Sequence, residues 1–253
     1  MKEANFKSLK QLTAGVHACN DALSDGREID RVFIRKGARG PAFDEIISKS
    51  NERGIPVSFV PGEKLDRLTN VNHQGVVALH SLIEYQEVDD IIPFIYEQGK
   101  EPLCVVLDRV TDVRNLGAMV RTAECMGAHC VIIPDRGGAE INAEAIKSSA
   151  GALGRLPVCR TPDLVKTLKY LQQAGLQVVG ASEKGQHLLY EAHLSGPLAI
   201  VMGSEGDGLS TDVKDMLDAV LRIPMTGSTG SLNVGVASAM FLYEAVRQRK
   251  QEA

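Results

Sequence analysis

Leu198-Ala199-Ile200-Val201-Met202-Gly203-Ser204-Glu205-Gly206-Asp207-Gly208-Leu209-Ser210 carries five apolar residues straight into a stretch of three glycines and two acids. An apolar run of that length, stopped by glycine, is the pattern of a strand buried on both faces of a parallel sheet. Such sheets bind ligands beyond the carboxyl ends of their strands. Glycine at that point lets a ligand approach the backbone closely. The spacing superficially matches the phosphate loop GxxxxGK[ST], but Leu209 stands in place of the lysine, and Glu205 and Asp207 would repel a triphosphate. A cationic or neutral ligand whose hydroxyls need acceptors fits better. A plain glycine turn is the competing reading.

Two more segments repeat the pattern of apolar strand followed by polar residues and glycine. Upstream, 104–107 leads through Asp108-Arg109-Val110-Thr111-Asp112-Val113-Arg114-Asn115 into a helix expected over 115–126. Leu116, Met119, Val120 and Ala123 recur there at helical spacing, and Arg121 falls about 140° from Leu116, off the apolar stripe. Taken singly, Asn115 reads as a helix N-cap and Arg121 as an i,i+3 ion-pair partner of Glu124. Downstream, Ile223-Pro224-Met225-Thr226-Gly227-Ser228-Thr229-Gly230-Ser231-Leu232-Asn233 opens a last helix over 232–249. Ser231 is its expected N-cap, and Leu232, Val236, Ala239, Met240 and Tyr243 are its expected apolar stripe. The small residues Gly235, Ala237, Ser238 and Ala239 suit close packing against the sheet or against a second copy of the chain.

Strands at 104–107, 130–133, 177–180, 198–202 and 220–223, alternating with helices at 115–126, 143–149, 162–173 and 212–217, predict a mostly parallel α/β domain over 102–253. Residues 1–80 alternate on a smaller scale. Helices are expected at 15–23, 42–53 and 64–68 and strands at 30–34, 57–60 and 75–78, making a second, small α/β domain. The acidic stretch 81–101 reads as a linker holding a short amphipathic helix near 91–96.

Of 253 residues, 44% are hydrophobic and 24% charged, enough for one or two ordinary cores. No apolar run is long enough for a membrane span, and the opening lysines precede no apolar signal region. The five cysteines form no CxxC pair and the six histidines no HExxH spacing, so no metal is expected and a reducing cytoplasmic setting is. The formal net charge is −4, but it is unevenly spread: residues 1–80 hold 12 Lys/Arg against 10 Asp/Glu. Arg31, Arg35, Lys36 and Arg39 cluster there as a modest phosphate-binding patch, or as a solvated strand edge.

In their order and context the three segments resemble the three motifs of the SpoU, or TrmH-like, RNA ribose 2′-O-methyltransferases of the SPOUT superfamily. The likeness runs from about residue 15 to 249. Within the family it lies with the members that methylate a guanosine of bacterial large-subunit ribosomal RNA. The resemblance implies a small N-terminal RNA-binding domain, a C-terminal trefoil-knot domain, S-adenosyl-L-methionine as cofactor and a homodimer formed through the C-terminal domain. Carried over by position, Gly203, Ile223 and Leu232 surround the cofactor, and Asn115, Arg121, Glu205, Ser231 and Asn233 face the reaction centre. Many relatives have proline where Val113 stands and serine where Gly235 stands, which makes the loop before Asn115 less rigid here and weakens any catalytic role for Gly235. The same chemistry on transfer RNA, and a non-catalytic ribosome-assembly RNA-binding protein on the same scaffold, stay open. A nicotinamide enzyme does not fit, because no GxGxxG follows an early strand.

Overall fold

The computed structural model describes residues 12–252, which divide into one compact unit ending at Glu84 and another beginning at Tyr85. In the first, β1 (Leu12–Ala14), α1 (Val16–Ser24), β2 (Ile29–Arg35), α2 (Pro41–Glu52), β3 (Val57–Val60), α3 (Gly62–Leu68) and β4 (Val76–His80) follow one another. The sheet order is β1-β4-β2-β3, with β2 and β3 parallel and β4 antiparallel to both β1 and β2. Because successive strand residues point to opposite faces, β2 serves two cores. Val32 and Ile34 pack with Cys19, Leu23 and Ile46 of α1 and α2, whereas Phe33 packs with Leu65 of α3.

The second unit contains β5 (Tyr85–Gln86), α4 (Val88–Glu97), β6 (Leu103–Leu107), α5 (Val113–Cys125), β7 (Cys130–Pro134), α6 (Ala143–Ser148), β8 (Val158–Thr161), α7 (Leu164–Gln173), β9 (Gln177–Ala181), β10 (His187–Leu188), β11 (Leu198–Met202), α8 (Thr211–Lys214), β12 (Ala219–Arg222) and α9 (Val234–Glu252). Its strands form one sheet, β10-β12-β9-β11-β6-β7-β8-β5, in which every pairing is parallel. The five residues of β6 and of β11 are all buried, as the apolar runs require of strands covered on both faces. From β6 the chain proceeds one way to β7 and β8, and β11 lies on the other side. Ligands collect beyond the strand ends where the order reverses in this way. Leu107 pairs with Met202 and the Asp108 N–H donates to the Met202 carbonyl at 2.8 Å, so the loops after β6 and β11 leave the sheet side by side.

The acidic stretch expected to be a linker holds β5 and α4. Val88, Ile92 and Ile95 of α4 pack in the main core of the second unit with Cys104, Ile132 and Leu168. Cys104, Cys130 and Cys159 are fully buried in that core. The Cys130 thiol donates to Cys104 Sγ at 3.4 Å, and this contact with burial pushes its pKa well up, which makes it a packing group and not a nucleophile. No helix among the described residues is long and apolar enough to cross a membrane.

One contact under the sheet gives a pH-dependent stability. The Leu103 N–H donates to His129 Nδ1 at 3.0 Å; desolvation first, then the charges of Arg249 and Lys100, lower the imidazole pKa from 6.5. The unfolded chain therefore binds the proton that the folded chain refuses, and stability falls as pH drops below about 6.5. Urea unfolding at pH 7.5 and 5.5 should show this loss, and His129→Gln should shrink it.

Candidate active site

Two helix starts differ from the sequence reading, and both differences build the site. Asp112, not Asn115, caps α5: its Oδ1 accepts from the N–H groups of Arg114 and Asn115 at 2.8 and 2.9 Å. Asn115 is thus a first-turn residue with its side chain free to reach outward. Ser231 does not cap α9 either. Asn233 holds that place, its Oδ1 accepting from the N–H groups of Gly235 and Val236 at 2.9 and 3.3 Å. In both cases the cap is the side chain immediately before the first helical residue, Asp112 before Val113 and Asn233 before Val234, and not the residue chosen from the sequence.

These shifts bring three expected site residues together from positions far apart in the chain. Glu205 Oε1 accepts from Asn115 Nδ2 at 2.5 Å and from Asn233 Nδ2 at 2.9 Å, and Asn233 Nδ2 also reaches Asn115 Oδ1 at 3.1 Å. Each amide is oriented by the other two groups. Glu205 is exposed and its Oε2 has no partner among the described residues, which leaves it available as an acceptor. α5 itself is pressed close to α6: a Cβ on Gly117 would lie 1.9 Å from Ser148 Oγ and 2.7 Å from the Ala145 carbonyl. That close approach fixes the helix that carries Asn115.

Beside the cluster lies a cleft of about 320 Å³ at the carboxyl ends of β9, β11 and β12. Met202, Leu221, Ile223, Leu232 and Phe241 give it apolar walls, and Gly203, Glu205 and Ser231 also line it. Gly203 is the one floor position where no side chain is possible, since a Cβ would stand 2.3 Å from the Gly208 backbone carbon and 2.4 Å from Leu209 N. The loop doubles back tightly there, with Ser204 and Gly208 exchanging both backbone hydrogen bonds at 3.0 and 3.1 Å. Three carboxylates, Glu183, Glu205 and Asp207, line the cleft against one ammonium, Lys184. That balance favours a cationic ligand.

Arg121 stands apart from this cluster. It is exposed and has no hydrogen bond or ion pair among the described residues. The expected partner Glu124 instead pairs with Arg155 at 2.9 Å. Six residues of helix place Arg121 about 9 Å along α5 from Asn115 and about 120° away around its axis, off the side that carries the cluster. In the first unit Arg35, Lys36 and Arg39 are exposed at the end of β2 and in the turn beyond it, whereas Arg31 is half-buried within β2 and already engaged. Sequence reasoning missed Asp108 and Arg109, which grip the loop after β11 and are not marked by any periodicity. It also missed residues 181–184, whose strand-end position after β9 was the available signal.

The apolar stripe expected on α9 faces the opposite way. Val234, Phe241, Leu242 and Ala245 are buried, while Val236 is 50% and Tyr243 60% exposed, with Leu232 and Met240 also exposed. The helix is apolar on two sides, and periodicity alone does not say which side meets the sheet.

Residues 102–243 match the sequence model of the SpoU rRNA Methylase family, and residues 12–86 match that for RNA 2′-O ribose methyltransferase substrate binding. A putative TrmH family tRNA/rRNA methyltransferase of Staphylococcus haemolyticus is 38% identical over 94% of this chain and 95% of its own. The 23S rRNA (guanosine-2′-O-)-methyltransferase RlmB of Photorhabdus laumondii is 37% identical over 95% of this chain and 99% of its own. Among solved structures, the SpoU methyltransferase AviRb of Streptomyces viridochromogenes, in complex with AdoMet, superposes with a TM-score of 0.60 at 26% identity, covering 97% of this chain and 92% of that one.

Proposed function

This chain belongs to the SpoU rRNA methylase family, and from that premise we propose that it methylates the ribose 2′-hydroxyl of a guanosine in large-subunit ribosomal RNA. The observation that carries the reading is the Asn115–Glu205–Asn233 cluster beside a cleft in which position 203 has no room for a side chain. The chain is an RNA 2′-O-ribose methyltransferase that uses S-adenosylmethionine. The acid-rich, apolar-walled cleft fits that positively charged ligand: Gly203, Ile223 and Leu232 would hold it, largely through backbone and apolar contact. When bound, it supplies a methyl group activated by a sulfonium.

Transfer to an alcohol oxygen is governed by alignment, so the chain's main task is to hold the ribose in line. Asn115 orients the nucleotide, and Glu205 Oε2 accepts from a ligand hydroxyl or holds an arginine side chain. Ser231 and Asn233 fix the loop that closes the cleft. The 2′-hydroxyl must also lose its proton. A guanidinium, with a pKa above 12, is a poor base. Arg121 therefore grips the neighbouring phosphate and stabilises the developing alkoxide, and a phosphate oxygen or water takes the proton.

The chain works as a homodimer through the exposed face of α9. Leu232, Val236, Met240 and Tyr243 form an apolar strip next to the cleft, of the kind that marks an interface. Gly235 rests on α5 against Met119 and Ala118, so Arg121, one turn beyond Ala118, borders the same face and is placed to serve the second copy. Tyr243→Glu should convert a dimer to monomers in sedimentation velocity and should lower transfer with them; a monomeric wild type would contradict this arrangement.

The N-terminal unit, residues 1–80 in the sequence reading, binds RNA through Arg31, Arg35, Lys36 and Arg39, of which the three exposed residues contribute most. Changing those three to glutamine should weaken RNA binding and flatten its log–log salt slope by roughly 0.7–0.9 for each phosphate that is no longer neutralised. An unchanged slope would put the RNA elsewhere. Residues 102–253 are the catalytic domain, carrying the trefoil knot that the family resemblance implies, and ribosomal RNA as substrate places the chain in the cytoplasm.

The test of the substrate is to offer labelled S-adenosylmethionine with purified large-subunit rRNA, small-subunit rRNA and transfer RNA in turn. Label on the large-subunit RNA supports the proposal. Label on transfer RNA, which the name of the Staphylococcus relative also covers, redirects it.

A further inference from the structure

We propose that Asp108 and Arg109 are positioning residues for methyl transfer, acting by holding the loop that presents Glu205. The proposal rests on the reading of Glu205 as a site residue. Asp108 follows β6 and is 4% exposed. Its Oδ2 accepts from the Ser210 N–H at 2.5 Å and its Oδ1 from Arg109 Nε at 3.2 Å. A carboxylate this buried is retained only with charge-assisted partners, and these two supply them. Arg109 has a left-handed backbone, φ +57°, uncommon for a residue with a long side chain and sustained only where the surroundings fix it. That turn carries the guanidinium back over the loop after β11. Its Nη2 donates to the Gly208 carbonyl at 3.1 Å and its Nη1 lies 3.8 Å from Asp207.

The two residues thus fix the returning limb of the loop at two points, Gly208 and Ser210. The Gly208 carbonyl also accepts from Ser204 N–H at 3.1 Å, and Glu205 is the next residue. Within the Ser204–Gly208 turn held in this way, Glu205 reaches out to both Asn115 and Asn233. With the anchors removed, the loop keeps its Ser204–Gly208 pairing but is free to move as a unit over the end of β6. Glu205 then no longer stays within hydrogen-bond distance of two amides carried by other helices.

A double-mutant cycle tests this in the full-length protein. Asparagine tolerates a left-handed backbone, so Arg109→Asn removes the guanidinium with little change to the main chain. It should lower kcat roughly ten- to hundred-fold, the scale of a misplaced reacting group, with the melting temperature within about 2 °C of wild type. In a Glu205→Ala background, where there is no carboxylate left to position, the same change should lower kcat less than about two-fold. Equal losses in the two backgrounds, or no loss in the wild type, overturn the proposal. Glu205→Ala alone reads the assignment of Glu205 itself, so failure of that reading is seen separately. Arg109→Gly, which relaxes the backbone while deleting the same side chain, gives a second route through the cycle should Arg109→Asn fold poorly.

Discussion

Arg121→Ala should remove nearly all methyl transfer, by roughly 10²–10³-fold, the loss expected when a charged group that stabilises a developing oxyanion is taken away. Its effect on cofactor affinity should be small. Arg121 is not among the residues that line the cleft, and it has no partner among the described residues whose loss would loosen the fold. Single-turnover transfer and calorimetric titration with S-adenosylmethionine separate the two quantities. Arg121→Lys keeps the charge but loses the planar fork that grips phosphate, so it should recover only a fraction of the activity. If cofactor affinity collapses in step with turnover, Arg121 belongs to the scaffold, and another group must stabilise the developing alkoxide.

Gly203→Ala should have the opposite signature. A Cβ at 2.3 Å from a backbone carbon cannot be relieved by turning a side chain; the Gly208–Leu209 limb must shift. That limb forms the cleft wall and carries the anchors of Glu205, so cofactor binding should fall by about 100-fold or more, beyond the few-fold change of an ordinary wall substitution. Gly227→Ala is the control, because its added Cβ meets nothing within 4 Å; it should bind as the wild type does. Near-normal binding by Gly203→Ala would mean that the cofactor lies elsewhere.

The α/β alternation was legible because long apolar runs such as 198–202 and 130–133 are buried on both faces and need no partner to identify them. Short edge strands were not. β5 and β10 have two residues each, too few for any period, and only their neighbours make them strands. Residues 81–101 read as a linker with a short amphipathic helix near 91–96; that helix is present as α4, but the strand β5 before it and the packing of Val88, Ile92 and Ile95 into the main core make the stretch part of the domain. The exposed face of α9 illustrates a different limit. A helix apolar on both sides has no moment to orient it, so the sequence does not say which side is buried.

Within the site, it is the family resemblance that marks glycine at 203 and the polar residues at 115, 205 and 233; their positions near strand ends and helix starts are compatible with plainer roles as caps and turns. Their mutual hydrogen bonds could not be read from the sequence, because they join residues 28 to 118 positions apart. Nor could Asp108 and Arg109, which look like ordinary loop charges until the β6 and β11 ends are seen side by side. The isolation of Arg121 from the other three is likewise visible only once Glu205 and Asn233 are seen to meet α5 on the side that carries Asn115.

The most direct test of the central claim is to treat unmodified large-subunit rRNA with the enzyme and S-adenosylmethionine and map ribose methylation at nucleotide resolution. One new 2′-O-methyl group, on a single guanosine and absent with Arg121→Ala, is the predicted result. Methyl groups on a base, or no ribose methylation in the presence of bound cofactor, would contradict it.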